Sequence, residues 1–390
     1  MSLLTPADIE DIKARNPLRD VAAQYVQLRR SGKRLAGPCP MCGGKNRSGR
    51  FEILEDGGSW VCAVCQDGGD VIRLVQRVEG LDFKDAIERL GGTREIDPDV
   101  VARLIRQRED KQRRREAQAA RYREAERTRL FEQWSAARPI HGTIAARYLE
   151  GRGLILPPTC PGLRFAPEAA YFHGDEFDEF GRKNARVIHR GPAMLAAFIR
   201  PDGHFGGLHQ TWLVDGAPPL KLQLEDPDEP GVMLPAKKMR GSKTGAFILV
   251  APAEGAARCL VVGEGIETVL SAYTAHVDGG RNISDVAWWA AGDLGNMAGP
   301  ADRTLEHPHE HQPNGRPKRI PGPMPDLAKP GLSIPDEVAE LILLGDGDSE
   351  RVLTGHAMVR AARRYARAGR IIRIAFAPAG RDFNDLLQDT

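Results

Sequence analysis

The sequence predicts an α+β multidomain fold in four consecutive parts: a cysteine-rich unit at 1–92, a charged helical linker at 93–138, a mixed α+β basic domain at 139–257 and an α/β domain with a parallel sheet at 258–390. Three observations carry this prediction. Four cysteines cluster near the N-terminus, a long polar stretch of helical character follows them, and apolar runs alternate with helical stretches towards the C-terminus.

Four cysteines within 27 residues (Cys39, Cys42, Cys62 and Cys65) define the first part. They form two Cys-x2-Cys knuckles separated by 19 residues, the spacing of a tetrahedral zinc site. Four thiolates close the coordination shell, so we expect the zinc to be structural. The stretch VIRLVQRVEGLDFKDAIERLGG then predicts two short helices that end at its final glycines.

The residues around the cysteines are basic. Positions 29–50 contain no acidic residue. Basic side chains beside an aromatic ring suit a single-stranded nucleic acid, because cations bind phosphates and rings stack on bases. A merely solvated ribbon surface is the alternative. The predicted binding residues of this part are Lys33, Arg34, Lys45, Arg47, Arg50 and Trp60.

The linker carries nine Arg or Lys and five acidic residues between 107 and 129. It has almost no apolar stripe, so we interpret it as a solvated spacer helix held by ion pairs one turn apart. The competing interpretation is that its surplus positive charge follows a phosphate backbone.

The two remaining parts differ in their apolar patterns. Short alternating runs such as AMLAAFIR and GGLHQTWLV predict antiparallel strands in the third part. In the fourth part, the runs CLVVG, VAWWAAG, LILLG and IIRIAFAP are separated by helical stretches, which predicts a parallel sheet. The His- and Pro-rich stretch 300–335 is predicted to be an irregular surface insertion.

Acidic side chains follow three of these predicted strands. Glu264 follows CLVVG, Asp346 and Asp348 follow LILLG, and Asp382 lies beyond the last strand, with Asp385 close behind. The carboxyl ends of parallel strands meet at one edge of a sheet, where ligands bind. Clustered carboxylates need a cation, and hard oxygen ligands favour Mg²⁺ or Mn²⁺.

Composition excludes several classes of protein. The chain has 390 residues, is 41% hydrophobic and 28% charged, and has a net charge of +2, so it can form two or three globular domains. It lacks an apolar run of about 18 residues, and MSLLTPADIEDIKARN lacks the apolar segment of a secretory signal. We therefore expect a cytoplasmic protein rather than a membrane, secreted or disordered one.

The motifs resemble a known family. GPCPMCGGKNRSGRF, SWVCAVCQDGGDVI and DFKDAIERL resemble the zinc-binding domain of the bacterial DnaG-like primases. VVGEGIET, LLGDGD and RDFNDLL resemble the Toprim domain that primases share with topoisomerases and some nucleases, and AAFIRPDGHFGGLHQTWL with AKKMRGSKTG resembles the basic half of a primase core. The similarity is greatest to Toprim-containing primase-like proteins of phages, plasmids and integrated elements.

The resemblance implies roles for individual residues. Glu264 would be the Toprim glutamate, Asp346 and Asp348 its magnesium-binding pair, and Asp382 a later acidic position. A basic groove for nucleotide phosphates and template would be lined by Arg200, Lys237, Lys238 and Arg240. This chain has Cys42 where primase zinc domains often have His, and Gln210 where relatives tend to have a basic residue.

The resulting hypothesis is a bacterial or phage DNA primase that makes short RNA primers on single-stranded DNA. Its substrates would be nucleoside triphosphates, and its partner a separately encoded replicative helicase. One alternative is a Toprim nuclease using the same carboxylates. The other is a non-catalytic single-stranded-DNA-binding accessory protein of replication.

Overall fold

A computed structural model describes residues 6–43, 50–92, 98–177, 183–312 and 317–388, together with Glu179 and Gly315. Its described residues divide into two compact units. The first contains the residues up to 119 and the short segment 308–318, and the second contains 120–307 and 319–388. None of the described helices is both long and apolar enough to cross a membrane.

The first unit is built on a small antiparallel sheet whose five strands pair in chain order. Asp70 and Asp82 each accept a hydrogen bond from the backbone N–H three residues ahead and so start the two helices that follow the cysteines, as the sequence predicts. The elements are α1 Pro6–Arg15, α2 Leu18–Ala23, β1 Arg29–Ser31, β2 Arg34–Gly37, β3 Phe51–Ile53, β4 Trp60–Cys62, β5 Asp67–Gly69, α3 Val71–Glu79 and α4 Phe83–Arg89.

The linker is one helix, α5, that runs from Pro98 to Ala136. Its described residues are mostly exposed and form ion pairs one turn apart, such as Arg113 with Glu109 at 3.6 Å. Near the end of the helix, the side chains of Leu130 and Trp134 are buried in an apolar core of the second unit. This exposure agrees with the prediction of a solvated helix. Within the described part of the helix, only the last turns are packed, in the core of the second unit.

An antiparallel sheet forms the first half of the second unit, in the order β10-β9-β8-β7-β6, and β13 also pairs with β9. This confirms the antiparallel pairing predicted from the alternating runs. The elements are β6 Arg138–Pro139, α6 Ile144–Glu150, β7 Leu163–Phe177, β8 Lys183–Ile199, β9 Phe205–Val214, β10 Leu220–Lys221, β11 Leu224–Glu225, β12 Met233–Leu234 and β13 Lys237–Gly241.

A second sheet, in the order β14-β16-β15-β19-β20, forms the other half. The last four are parallel, as predicted, and β14 is antiparallel to β16. The elements from residue 248 onwards are β14 Ile248–Ala251, β15 Cys259–Gly263, α7 Ile266–Asp278, β16 Val286–Ala290, α8 Leu294–Ala298, β17 Thr304–His311, β18 Pro317–Pro321, β19 Glu340–Gly345, α9 Arg351–Tyr365, β20 Ile371–Phe376 and α10 Phe383–Gln388. Parts of β17 and β18, residues 308–311 and 317–318, are assigned to the first unit.

Two features differ from the predicted organisation. The boundary at residue 257 falls inside the second unit, because β14 lies before it and pairs with β16. Phe198 of the first sheet and Val261 of the second also share one core. The stretch 300–335 is not wholly irregular, since β17 and β18 form a two-stranded ribbon in which His307 is buried.

Candidate functional site

The four clustered cysteines lie together in the first unit. The Sγ atoms of Cys39 and Cys65 are 3.7 Å apart, as are those of Cys42 and Cys62, and all four lie within 4.8 Å of one another. The first knuckle is closed by two backbone hydrogen bonds between Cys39 and Gly43, and Gly43 adopts a positive φ of 71°. A glycine suits that left-handed turn because it has no Cβ.

This geometry fits a zinc ion. A tetrahedron with zinc–sulfur distances of about 2.3 Å has sulfur–sulfur edges of about 3.8 Å. Burial raises the pKa of the Cys39 and Cys65 thiols, and a bound divalent cation would reverse that effect by stabilising the thiolates. The four cysteines therefore form a structural zinc site, as predicted.

The residues near this site that were predicted to bind nucleic acid differ in their exposure. Trp60 is not a stacking platform, since its side chain is 0% exposed, stacks on Phe51 at 5.3 Å and donates its Nε1–H to the Asp70 carbonyl. Arg34 is ion-paired with Glu52, while Lys33 and Arg50 are exposed. Lys45 and Arg47 lie outside the described residues.

In the second unit, the predicted acidic residues lie at one edge of the parallel sheet. β15 and β19 are neighbours, and Val262 is in register with Leu343. Glu264 follows β15 and Asp346 follows β19, so both side chains leave the same end of adjacent strands. Asp348 is exposed beyond them. The carboxyl edge therefore presents acidic groups of different burial to one region.

The electrostatics of this edge link the carboxylates. Burial raises the pKa of Glu264, and Asp346 and Asp348 raise it further, while Lys237 and Lys243 partly offset the effect. Burial likewise raises the pKa of Asp346; a hydrogen bond from the Thr268 hydroxyl counteracts this, and Asp348 and Asp382 add to it. Burial and neighbouring carboxylates therefore both disfavour the ionised forms of Glu264 and Asp346, which a bound cation would stabilise.

Asp382, the predicted later acidic residue, lies at the start of helix α10. Its carboxylate accepts a hydrogen bond from Asp385 N–H at 2.7 Å, and the Asp385 carboxylate accepts one from Asp382 N–H at 3.0 Å. This reciprocal pair starts α10 in the manner of a capping box. The backbone N–H of Phe383, the next residue, donates to Asp346. Asp382 therefore shapes the turn that supports Asp346, besides contributing charge.

Gly347 is required between the two aspartates of the strand β19 turn. A Cβ at this position would lie 2.1 Å from the Pro378 carbonyl oxygen and 2.5 Å from that of Ala377. The Gly347 N–H also donates to the Arg381 carbonyl at 2.9 Å. The turn therefore packs directly against the loop after β20.

Three residues at this edge were missed by sequence reasoning. Thr268 lies in the first turn of α7, four residues after Glu264, and donates to Asp346 Oδ2 at 3.0 Å. Asp293 follows β16, caps α8 and is ion-paired with Lys243. The rule that selected Glu264, an acid just after an apolar strand, could also have found Asp293 in VAWWAAGDLG. Lys243 lies in the quoted motif AKKMRGSKTG but was not selected from it as a site residue.

Three residues predicted to line one basic groove lie on opposite faces of a single strand, β13. Successive residues of a strand point to opposite faces, so Lys237 on β13 faces away from Lys238 and Arg240. Lys238 donates to the Phe172 carbonyl and lies 4.0 Å from the Tyr171 ring centroid, and Arg240 pairs with Glu126. Contrary to the prediction, these three residues do not line one surface.

Arg200, the fourth residue predicted to line the groove, interacts with a neighbour in sequence. Arg200 is ion-paired with Asp202, two residues further along the same turn. Lys237 instead pairs with Glu267 of α7 at 3.2 Å. Glu267 also binds Arg152 and Lys221, and sequence reasoning missed all three because they come from separate segments.

Comparisons with known proteins define the class of the first unit. Residues 4–103 match the CHC2 zinc finger family, and residues 124–249 match a domain of unknown function, DUF7146. The chain therefore carries a zinc finger of the DnaG kind, which confirms the predicted zinc-binding domain.

The relatives found by sequence are DNA primases. The DNA primase of Enterococcus faecalis is 34% identical over 91 residues, which cover 23% of this chain and 14% of that protein. The DNA primase of Streptomyces coelicolor is 36% identical over 86 residues, covering 22% and 13%. The chain thus spans about one seventh of the length of these relatives, and its resemblance to the DnaG-like primases is confirmed over that region.

Solved primase structures give a distant match over a longer region. The zinc-binding and RNA polymerase domains of the Aquifex aeolicus primase match with a TM-score of 0.35 and 14% identity, covering 100% of this chain and 83% of that one. A DnaG primase catalytic domain bound to single-stranded DNA matches with a TM-score of 0.37 and 16% identity, covering 69% and 78%.

Proposed function

We propose that this protein is a DNA primase, which makes short RNA primers on a single-stranded DNA template by metal-dependent nucleotidyl transfer. The observation that carries the proposal is the acidic carboxyl edge of the parallel sheet, in the same chain as a zinc finger of the DnaG kind. An edge of this type suits phosphoryl chemistry because it can bind a cation beside phosphates.

The residues that would hold a magnesium or manganese ion are Glu264, Asp346 and Asp348. Their oxygens are the ligands that such ions prefer, and the repulsion that Asp346 and Asp348 exert on Glu264 favours a divalent cation there. When bound, the ion would neutralise charge on the transferring phosphate and favour the attacking hydroxyl.

The chain's own side chains would orient and complement this group. Thr268 fixes the Asp346 carboxylate through its hydroxyl, and the α10 turn begun by Asp382 donates a backbone N–H to the same carboxylate. Lys237 and Lys243 bring positive charge towards Glu264, where the triphosphate would lie. The zinc finger would bind the template strand, and a replicative helicase would recruit the protein to it in the bacterial cytoplasm.

The test is a template-directed synthesis assay with the full chain, mixed-sequence single-stranded DNA, labelled nucleoside triphosphates and Mg²⁺ or Mn²⁺. The variant is Asp346→Asn/Asp348→Asn, and the matched control is Asp336→Asn, whose carboxylate is 87% exposed and pairs with Arg367. We expect short products with the wild type and the control and none with the double variant.

Other outcomes of this assay would overturn the proposal. Shortening of the template without synthesis would identify a Toprim nuclease instead. Binding of single strands with no product in either metal, even with a replicative helicase added, would identify a non-catalytic accessory protein. Synthesis by the double variant would remove the acidic edge from the reaction.

A further inference from the structure

One buried carboxylate gathers three cations beside the acidic edge. Arg152 Nε lies 2.9 Å from Glu267 Oε2, and Lys221 Nζ and Lys237 Nζ lie 3.0 and 3.2 Å from Oε1. The Glu267 side chain is 14% exposed, whereas the cations are 31–44% exposed. We call these four residues, Glu267, Arg152, Lys221 and Lys237, the Glu267 cluster.

The cluster assembles from four separate elements. Glu267 is on α7, Lys221 on β10 and Lys237 on β13, while Arg152 follows α6. Both lysine strands pair with β9, where Lys237 is opposite Thr211 and Lys221 is opposite Leu213. Residues opposite each other in antiparallel strands share a face, so both lysines face α7 from one side of the sheet.

The cluster has more positive charge than it needs for its own stability. One carboxylate faces three cations, which leaves a net charge of about +2 in a half-buried place. Each lysine ammonium has three N–H donors, and Glu267 cannot accept them all. An anion that binds here gains charge-assisted hydrogen bonds from cations that are already held in place.

The surroundings also offer polar atoms to a ligand. Thr211, opposite Lys237, is fully buried, and its hydroxyl has no hydrogen-bond partner among the described residues. His209 Nδ1, two residues earlier on the same face, is likewise without a partner in the described part of the chain. Burial of a polar group without a partner is costly, so a bound water or an atom of a ligand would stabilise both groups.

One electrostatic effect and one hydrogen bond connect the cluster to the acidic edge. Lys237 lowers the pKa of Glu264, so its charge reaches the carboxylate site. The Arg152 carbonyl accepts a hydrogen bond at 2.9 Å from the Asn384 side chain of α10, the helix that begins beside Asp382. An anion bound by the cluster would therefore lie next to the proposed metal site.

We propose that Glu267 is a positioning residue, which holds Arg152, Lys221 and Lys237 together so that they bind phosphate groups of the nucleoside triphosphate. The inference rests on the proposed function for the identity of its ligand. Glu267 does not touch the phosphates. It keeps three mutually repelling cations converged before the substrate arrives, so that less ordering is required upon binding.

Binding of an inorganic probe separates this proposal from the proposed function. Tripolyphosphate titrated into the full chain by calorimetry needs no template and no synthesis. We expect Lys221→Ala/Lys237→Ala to weaken its binding by about tenfold or more, because two cationic donors are lost, and Glu267→Gln to weaken it by about tenfold, because the cations are no longer held together. Glu340→Gln is the matched control, because Glu340 pairs with Arg373 at the other end of β19, and its affinity should equal that of the wild type.

Primer synthesis supplies the readout that a purely structural role would not produce. We expect Glu267→Gln to raise the KM for nucleoside triphosphates about tenfold with little change in kcat, and Glu267→Asp to restore part of the loss. Melting curves of each variant measure the fraction of folded protein. Affinities are then calculated for the folded fraction alone.

Three outcomes would overturn the inference. If the double lysine variant binds tripolyphosphate like the wild type, the cluster is not an anion site. If Glu267→Gln binds it more tightly, Glu267 competes with the anion instead of positioning the cations. A fall in kcat at constant KM would assign Glu267 to another step. Intact tripolyphosphate binding without primer synthesis would instead contradict only the proposed function.

Discussion

At the scale of single residues, Trp60 and Glu267 show how burial changes a prediction. Trp60 lies beside a cysteine knuckle among basic residues, the pattern of a base-stacking surface, yet it is enclosed by the sheet and α3 of its own unit. Glu267 carries no pattern of its own, yet it holds three cations from distant segments. In both cases the neighbours in space decide the role.

Replacing Trp60 tests its assignment to the core. We expect Trp60→Ala to lower the free energy of unfolding of the first unit by about 3–5 kcal/mol, because it removes a buried indole. Trp60→Phe should keep the affinity for single-stranded oligonucleotides, measured by fluorescence anisotropy. A tenfold or greater loss in a folded Trp60→Phe protein would restore the stacking role.

The Glu267 carboxyl predicts a pH-dependent stability. Burial alone would raise its pKa, but Lys237, Lys221 and Arg152 outweigh that effect and hold the pKa at about 2, below the usual 4.5. A lowered folded-state pKa contributes stability above about pH 4.5, and this contribution is lost as the pH falls towards 2.

We therefore expect Glu267→Gln to destabilise the second unit by about 1–2 kcal/mol at pH 7, since its cations are partly exposed. The difference from wild type should shrink below pH 4.5 and vanish near pH 2. Denaturant unfolding across this pH range measures it. A difference independent of pH would mean that packing, not charge, is what the substitution removes.

At the scale of elements, the parallel sheet shows which predictions succeed. Its four parallel strands were predicted from apolar runs. Strands β15, β16 and β19 are covered on both faces and so leave an almost continuous apolar signal, whereas β20 is an apolar but largely exposed edge strand. The antiparallel edge strand β14 was assigned to the preceding domain, since a run such as FILVA does not reveal which sheet it joins. Which strands pair with each other depends on the tertiary structure.

The turn after β19 provides a sharp test of backbone requirements. We expect Gly347→Ala to cost about 1–3 kcal/mol or more and to impair magnesium-dependent activity, because its Cβ would overlap the Pro378 and Ala377 carbonyls. Gly355→Ala is the matched control, since no atom outside its own helix lies within 4 Å of a Cβ there.

In the control, the added methyl group favours the helix, so Gly355→Ala should be neutral or stabilise the protein by about 0.5–1 kcal/mol. Thermal unfolding measures both variants. If Gly347→Ala melts like the wild type, the turn has room to move and does not fix the aspartates.

At the scale of the whole molecule, the core of the first unit is formed by its own residues. Its buried cluster runs from Ile9 to Leu90, whereas the buried clusters of the second unit begin at Leu130. The first unit is small, and two of its cysteines, Cys39 and Cys62, are part of that core. Small domains of this kind depend on metal for part of their folding free energy.

We expect zinc removal by a chelator to abolish hydrogen-exchange protection of β3 and β4 and to leave β15 and β19 protected. Mass spectrometry of exchanged peptides measures this. Cys160→Ser is the control, because that thiol is buried in the second unit and should not affect zinc content. Unchanged protection of β3 and β4 after zinc loss would contradict a structural role for the metal.

The sequence by itself determined the elements whose signals are local. These are the Cys-x2-Cys knuckles, the capped helices that follow them, the parallel strands, and the acids that follow β15 and β19. Each depends on residues close together in the chain, and the topology of a parallel sheet then brings strand ends to one edge. Spacing alone was enough to predict them.

Only the tertiary structure decided which side chains act together. It buried Trp60, placed Lys237 on the opposite face of β13 from Lys238, and brought Arg152 and Lys221 to Glu267. The physical reason is that desolvation and ion pairing depend on distances in space, and these contacts join residues tens to more than a hundred positions apart. A linear pattern carries no record of such distances.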